Sequence, residues 1–215
     1  MDTHQPVGSS DLTPNHHAHH PGFRGLGGLL TALSFTVGRD HDAELAVRLT
    51  ALGASDHVVD VGCGAGVAAR RAARSGASVV GIDPASVMLR VARPLTRDRA
   101  RVRYLEGTAE ALPLPDASAT VLWSIATVHH WHDLDRGLDE ARRVLTPGGR
   151  LLAIERRVEA GATGHASHGW TRSQADAFAQ RCRDAGFVDV EVGDHRGDRR
   201  HVLSVLAGTE STPGP

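Results

Sequence analysis

Lysine is absent from the 215 residues, and all 24 basic side chains are arginine. Enzymes that depend on a primary amine are therefore excluded. A P-loop nucleotidase lacks its phosphate-cradling lysine here, a protein kinase its ion-paired lysine, and a pyridoxal phosphate enzyme or Schiff-base aldolase its nucleophile. Short-chain dehydrogenases pair a tyrosine with a lysine on one helical turn and fail the same test; the single tyrosine is Tyr104. A GC-rich coding sequence suffices to explain the arginine bias, so the absence filters functions without suggesting one. Cysteine is scarce too. Cys63 and Cys182 are too few for a disulfide framework or a thiolate zinc site, which fits a reducing compartment. No apolar run approaches membrane-spanning length, and Met1-Asp2-Thr3-His4-Gln5-Pro6 lacks the charged and apolar regions of a signal peptide, so a cytoplasmic protein with no membrane partner is expected. Charge of one sign is also missing. The formal net charge is −1, and the arginines are scattered in pairs (Arg70/Arg71, Arg142/Arg143, Arg156/Arg157, Arg199/Arg200) rather than in a stripe that would track phosphates. Nucleic acid is not an expected partner.

What is present reads as one globular domain, residues 23–207, between a His- and Pro-rich tail (1–22) and a second tail (208–215), both expected to be disordered. The cluster His16-His17-Ala18-His19-His20 is expected to be solvated, with no site assigned to it. Gly25 to Val37 reads as a Gly-interrupted apolar helix, and Asp40 is expected to cap a helix running to about Leu52. Strands and helices then alternate: strands at 57–61, 78–82, 101–105, 119–124 and 150–155, helices at 66–75, 85–97 and 134–145. Short apolar strands between helices predict an open parallel α/β sheet with helices on both faces. Thr171-Arg-Ser-Gln174 is a capping-box pattern opening a last helix that ends at Gly186. Strands at 187–192 and 201–207, on either side of the turn-rich Gly193–Asp198, predict an antiparallel hairpin at the sheet edge.

The first strand runs into Asp60-Val61-Gly62-Cys63-Gly64-Ala65-Gly66 and then a helix. Glycines let the backbone turn tightly and approach a ligand, and a helix N-terminus offers free N–H groups. Asp83 ends the second strand, where a carboxylate can accept hydrogen bonds from both hydroxyls of a ribose. Together they point to a nucleoside-bearing cofactor at the carboxyl ends of the strands. The dinucleotide fingerprint is Gly-x-Gly-x-x-Gly, whereas this loop reads Gly-x-Gly-x-Gly behind Asp60, which departs from the spacing that nests a pyrophosphate.

Four motifs in order carry a family resemblance: Val58-Val-Asp-Val-Gly-Cys-Gly-Ala-Gly66, Gly81-Ile-Asp-Pro-Ala-Ser-Val-Met-Leu89, Glu106-Gly-Thr-Ala-Glu-Ala-Leu-Pro-Leu-Pro-Asp116 and Arg143-Val-Leu-Thr-Pro-Gly-Gly-Arg-Leu151. Over about residues 40–207 the chain resembles the class I S-adenosylmethionine (SAM)-dependent methyltransferases, and within them the small-molecule enzymes of the ubiquinone/menaquinone-biosynthesis type. The resemblance implies a Rossmann-like, mostly parallel sheet with a C-terminal antiparallel hairpin, SAM as cofactor, S-adenosylhomocysteine as product, and a small-molecule methyl acceptor. It also implies roles by position. Asp60, Gly62, Cys63, Gly64 and Gly66 would hold the methionine end, Asp83 and its neighbour Pro84 the ribose, and Met88 or Val87 the adenine face. Ser124 would stand at the cofactor edge. Thr108 stands where the family commonly has Asp or Asn; its hydroxyl and the Ala109 N–H would meet the adenine edge. A cofactor-binding protein of the same fold that acts by interaction or regulation is the alternative reading. A monomer or homodimer is expected.

After the fourth strand comes Ser124-Ile-Ala-Thr-Val-His-His-Trp-His132-Asp133, at the rim where acceptor and cofactor would meet. His129 and His130 are the candidate general bases, because imidazole titrates near neutrality. The competing reading has them bonded to backbone or cofactor, with Trp131 packed beneath and Asp133 capping the next helix. His-His-x-His spacing lacks a supporting carboxylate or thiolate, so no metal is assigned. Arg142 and Arg143 are expected on a solvated helix face, and Thr146–Gly149 as a structural turn. The loop 157–170, with His165, His168 and Trp170, is expected to help cover the acceptor together with residues 25–40. Arg156 and Arg157 are surface residues by default, with an acidic substrate as the other option. The Asp/Asn-Pro-Pro-aromatic motif of amino-methylating nucleic-acid enzymes is absent, and no cysteine follows a proline as in the cytosine-ring enzymes.

Overall fold

The computed structural model describes residues 13–18, 39–197 and 200–211. Its seven strands are β1 (His57–Val61), β2 (Ser78–Asp83), β3 (Val102–Glu106), β4 (Ala119–Ile125), β5 (Leu145–Arg156), β6 (Val188–Arg196) and β7 (His201–Gly208). Five α-helices accompany them among the described residues: α1 (Arg39–Leu49), α2 (Val67–Ala73), α3 (Ser86–Leu95), α4 (Leu134–Val144) and α5 (Arg172–Asp184). All strands share one sheet in the order β3-β2-β1-β4-β5-β7-β6. The first five are parallel, and β7 runs antiparallel to both β5 and β6. The chain builds outward from β1 to β3, then returns to the other side of β1 to lay down β4. That reversal opens a crevice at the carboxyl ends of β1 and β4, the place where open α/β sheets bind ligands.

Alternation along the strands explains the two faces. Val59, Leu122, Leu151, Ala153, Leu203 and Val205 point to one core with α4 and α5 residues such as Leu138 and Phe178. Val58, Val121, Trp123, Leu152, Ile154 and Val202 point to the other, against Ala46 of α1, Ala69 and Ala72 of α2, and Leu89 of α3. Both faces are apolar because helices cover both, which is why these strands carry runs rather than polar alternation. The alanines of α2 keep that helix close to the sheet.

Several boundaries differ from expectation for identifiable reasons. β5 begins at Leu145 and carries Thr146–Gly149 as a register shift against β4, with Gly148 at φ 74°. Thr209 N–H and Gly148 N–H then exchange bonds across this bulge with Gly149 and Glu210 carbonyls, so residues 208–210, expected in a free tail, are paired to β5. β6 continues through Gly193 to Arg196 because Asp194 pairs with Arg157 and His201, and His195 bonds the Ser204 hydroxyl across the hairpin at 2.8 Å. The capping box at Thr171 and Gln174 forms as read, and Gly186 follows α5 in the left-handed conformation, φ 82°. α1 starts at Arg39 with Asp40 in its first turn. The helix expected at Gly25–Val37, and with it most of the cover expected from residues 25–40, lies outside the described residues.

One part of the N-terminal segment is not solvated. Residues 13–18 form a turn that packs across the carboxyl end of the sheet, with His17 and Ala18 buried. The Trp170 indole N–H donates to the Pro14 carbonyl at 2.8 Å, Asn15 donates to the Trp131 carbonyl at 3.0 Å, and the His17 N–H donates to the His129 carbonyl at 2.8 Å. These backbone anchors explain why a polar segment stays down without a large apolar surface.

Candidate active site

The glycine loop uses backbone that side chains disfavour. Gly62, Gly64 and Gly66 have φ of 71°, 52° and 77°. Space is also denied: a Cβ on Gly62 would lie 2.4 Å from the Thr127 side chain, and one on Gly66 would lie 2.2 Å from the Tyr104 hydroxyl. The Gly62 and Cys63 N–H groups both donate to the Ile82 carbonyl, at 2.8 and 3.0 Å, which ties the loop to β2. Cys63 is buried and packs on Gly81, consistent with a small filler of the loop.

Asp83 completes this arrangement. Its Oδ2 accepts the Gly64 N–H at 2.8 Å and its Oδ1 accepts the Ala85 N–H at 2.9 Å. An ionised carboxylate offers about four lone-pair sites over its two oxygens, the chemistry that suits the paired hydroxyls of a ribose. The residues thus fit a nucleoside sugar. Asp60 is buried beneath the loop on β1. Ser124, fully buried at the end of β4, donates to Thr127 Oγ1 at 2.7 Å, and Thr127 in turn donates to the Val61 carbonyl at 3.1 Å. Met88 packs with Ala65 beside Ala85 and Val87, forming a small apolar patch next to the loop, with Pro84 exposed at its rim.

Thr108 is half-buried and bridges Ala111, and Ala109 is buried. Arg143 holds the stretch that follows. Its guanidinium donates to the Leu112 and Leu114 carbonyls at 3.1 and 2.8 Å and pairs with Asp116 and Glu140, while Glu140 accepts the Leu112 N–H at 2.8 Å. Arg143 also holds the Glu140 carboxyl below its usual range. Arg143 is therefore a clamp on the 108–116 loop and not the solvated side chain expected of it.

At the other lip, a short 3-10 turn, Val128–His130, follows β4. His129 Nδ1 lies 2.9 Å from Glu155 Oε2, and the His129 N–H reaches Glu155 Oε1 at 3.4 Å; both residues are buried. His129 Nε2 is buried with no hydrogen-bond partner. Burial, reinforced by the neighbouring His129, pushes the His130 pKa down to about 4. A base with so low a pKa is poorly matched to proton abstraction at neutral pH. His132 is exposed and stands apart from this pair, its N–H donating to Glu110 at 2.7 Å. In its place the fold brings in His168: one ring nitrogen each of His129, His130 and His168 lie within 4.8 Å of one another.

His168 arrives there because its loop folds back on β5. Gly169, at φ 144°, leaves room for the Arg156 carbonyl, which a Cβ would approach to 2.1 Å. Arg156 donates to the His168 and Ala166 carbonyls at 3.0 and 2.8 Å, and Arg157 pairs with Asp194, so both arginines are engaged within the protein. Trp131 packs on Gly137 and Phe178, and the Asp133 carboxylate caps α4 by accepting the Arg136 N–H at 3.1 Å. A separate cleft of about 620 Å³, lined by Thr13, Asn15, Asp133 and Arg181 among others, shares no residue with the glycine loop. The places of Glu155, Tyr104 and the Thr13–Ala18 turn in this region do not follow from the sequence; only the position of Glu155 at the end of a strand hints at one.

Residues 59–153 match the methyltransferase domain family. A ubiquinone/menaquinone biosynthesis C-methyltransferase of Rubrivivax gelatinosus is 38% identical over 109 residues, 51% of this chain and 43% of that protein. The chain spans about half the length of the curated relatives it matches. Among solved structures, a SAM-dependent methyltransferase from Aquifex aeolicus superposes with a TM-score of 0.65 at 22% identity, covering 78% of this chain and 89% of that one. The [4+2]-cyclase SpnF superposes with a TM-score of 0.68 at 21% identity, covering 80% and 82%.

Proposed function

We propose that this chain, which carries a methyltransferase domain, transfers a methyl group from SAM to a small-molecule acceptor at O, N or C. The observation that carries the reading is Asp83: it locks the left-handed glycine loop through Gly64, which sets a carboxylate, the group that suits a ribose diol, beside that loop at the end of β2. SAM, when bound, supplies an electrophilic methyl on a sulfonium. The chain's own work is positioning. Gly62–Gly66 and Asp60 shape the space for the amino-acid end, Asp83 orients the sugar, and Met88 with Ala65 offers an apolar face to the base. Thr108 and Ala109 stand where the base edge would fall, held by the Arg143 clamp. The Thr13–Ala18 turn and the 164–170 loop shield the acceptor side from water. Alignment of this kind supplies up to about 7–11 kcal/mol of barrier reduction in the best intramolecular cases, which is why few reactive side chains are needed.

His129 and His130 belong to the acceptor side. Residues 23–207 are read as one domain, acting in the cytoplasm as a monomer or homodimer; no described helix is long and apolar enough to cross a membrane. Some relatives are named for quinone biosynthesis or for malonyl-[acyl-carrier protein] O-methylation, and those acceptor classes are the first to try. Calorimetry with SAM, S-adenosylhomocysteine and NAD tests the cofactor: the first two should bind, and preferential NAD binding would overturn the reading. Labelled SAM in a metabolite extract then tests transfer. A second reading, cofactor binding without methyl transfer, is favoured by the likeness to a cyclase of the same fold; binding with no label transferred would select it.

A further inference from the structure

We propose that His129, His130 and His168 form a binding site for a borderline divalent transition-metal ion such as zinc, with Glu155 as its supporting carboxylate. The proposal does not depend on the methyl-transfer reading. Three ring nitrogens converge within 4.8 Å, a separation that one ion with metal–nitrogen bonds of about 2.0–2.1 Å can bridge after small side-chain adjustments. His129 is the anchor. Its Nδ1 faces the Glu155 carboxylate at 2.9 Å, and its Nε2 is buried without a hydrogen-bond partner. A carboxylate only accepts, so Nδ1 carries the proton and Nε2 is left with its lone pair inside the protein. This is the arrangement that orients a metal-ligating imidazole and raises its basicity.

Glu155 gives a second, independent reason. It is fully buried, and its hydrogen bonds among the described residues all come from His129, through Nδ1 and through the backbone N–H. A buried carboxylate is costly unless paired with positive charge. If His129 were the cation, its second N–H would be a buried donor with nothing to receive it. A metal ion on Nε2 supplies the charge and satisfies the atom at once. The His-His-x-His spacing by itself lacks a supporting carboxylate; the fold supplies one from β5 and replaces the exposed His132 by His168.

The site is held from several sides. The His17 N–H donates to the His129 carbonyl at 2.8 Å, and Arg156 fixes the His168 carbonyl. His16 and His17 reach the Ser167 carbonyl and hydroxyl at 2.9 and 3.1 Å, which pins the loop carrying His168 to the Thr13–Ala18 turn. Three protein nitrogens leave a position on the ion for an external ligand. Thr127, one residue before the 3-10 turn, touches the glycine loop, so the three histidines stand next to the cofactor side of the sheet; on the methyl-transfer reading the open position would take an oxygen or sulfur of the acceptor.

The test is a cobalt(II) titration of the full chain, free of any added histidine tag and stripped with chelator, read by visible absorption and repeated with zinc by calorimetry. Wild type should bind one ion per chain and show the intense visible bands of a four- or five-coordinate site. His129→Ala and His168→Ala should each weaken binding a hundredfold or more, and Glu155→Gln about 10–100-fold. His168 lies in a half-exposed loop, so its variant keeps the test valid should a substitution at buried His129 or Glu155 unfold the protein, which circular dichroism would reveal. A double variant His19→Ala/His20→Ala should bind as wild type. Equal cobalt binding by wild type and His168→Ala, absence of stoichiometric binding, or loss of binding in the His19/His20 variant would each overturn the proposal.

Discussion

Replacing Asp83 by Asn tests both the local construction and the cofactor assignment. The change preserves shape but converts one carboxylate oxygen to an NH2 group. Since one oxygen receives Gly64 N–H and the other Ala85 N–H, either amide orientation sets a donor against a donor. One buried N–H is left unsatisfied, at about 1–3 kcal/mol. For a domain of this size that lowers Tm by about 2–12 °C, at about 2–4 °C per kcal/mol. Cofactor affinity should fall separately. Two sugar hydroxyls that would have met a charged acceptor now meet a neutral amide, and the difference between charged and neutral hydrogen bonds, about 1 kcal/mol each, amounts to roughly 30-fold in Kd. Asp83→Ala frees both N–H groups and should cost more in each measurement. Differential scanning fluorimetry without ligand and calorimetry with SAM, in one buffer, read the two effects. If Asp83→Asn melts with wild type and binds SAM with unchanged Kd, then Asp83 neither holds the loop nor meets the sugar, and both readings fail.

Other expectations follow from single contacts. Gly66→Ala adds a Cβ at φ 77° and 2.2 Å from the Tyr104 hydroxyl, so it should destabilise by about 1–3 kcal/mol; Tyr104→Phe in the same chain should recover part of that loss in a denaturation double-mutant cycle, and strict additivity would refute the clash. Gly169→Ala meets the Arg156 carbonyl at 2.1 Å and should expose the 159–168 loop to limited proteolysis; an unchanged digestion pattern would contradict the close approach. Burial pushes the Cys182 thiol up to about 12, so at pH 8 its thiolate fraction is about a thousandfold below that of an ordinary thiol. Alkylation mapped by mass spectrometry should leave Cys182 unmodified until the protein unfolds. Because the folded pKa lies above the unfolded one, stability from this group is complete below about pH 8.5 and declines as pH rises toward 12.

The parallel sheet was legible because both of its faces are covered: short runs such as His57–Val61 and Ala119–Ile125 have few other uses. The Thr171–Gln174 box and the three loop glycines were legible because their partners are within a few residues or are the backbone itself. The role of Arg143 is not legible in the sequence because two of its partners are the Leu112 and Leu114 carbonyls about 30 residues away, and a carbonyl has no signature in a sequence. His168 was separated from His129 by a loop whose path depends on Gly169 folding back on Arg156, a tertiary event invisible to local pattern. The polarity of Thr13–Ala18 points to a solvated segment, yet polarity is what lets it dock on backbone groups.

That turn has a kinetic consequence. Its side-chain anchors span 116 to 161 residues of sequence. Bringing ends together over about 150 residues instead of 10 costs about 2.4 kcal/mol more loop entropy. The turn has its seat only once the 3-10 turn, the 164–170 loop and α5 are in place, because its partners are His129, Trp131, Ser167, Trp170 and Gln174. On the methyl-transfer reading, the cover of the acceptor side is thus a product of tertiary structure and not of the segment's own sequence pattern.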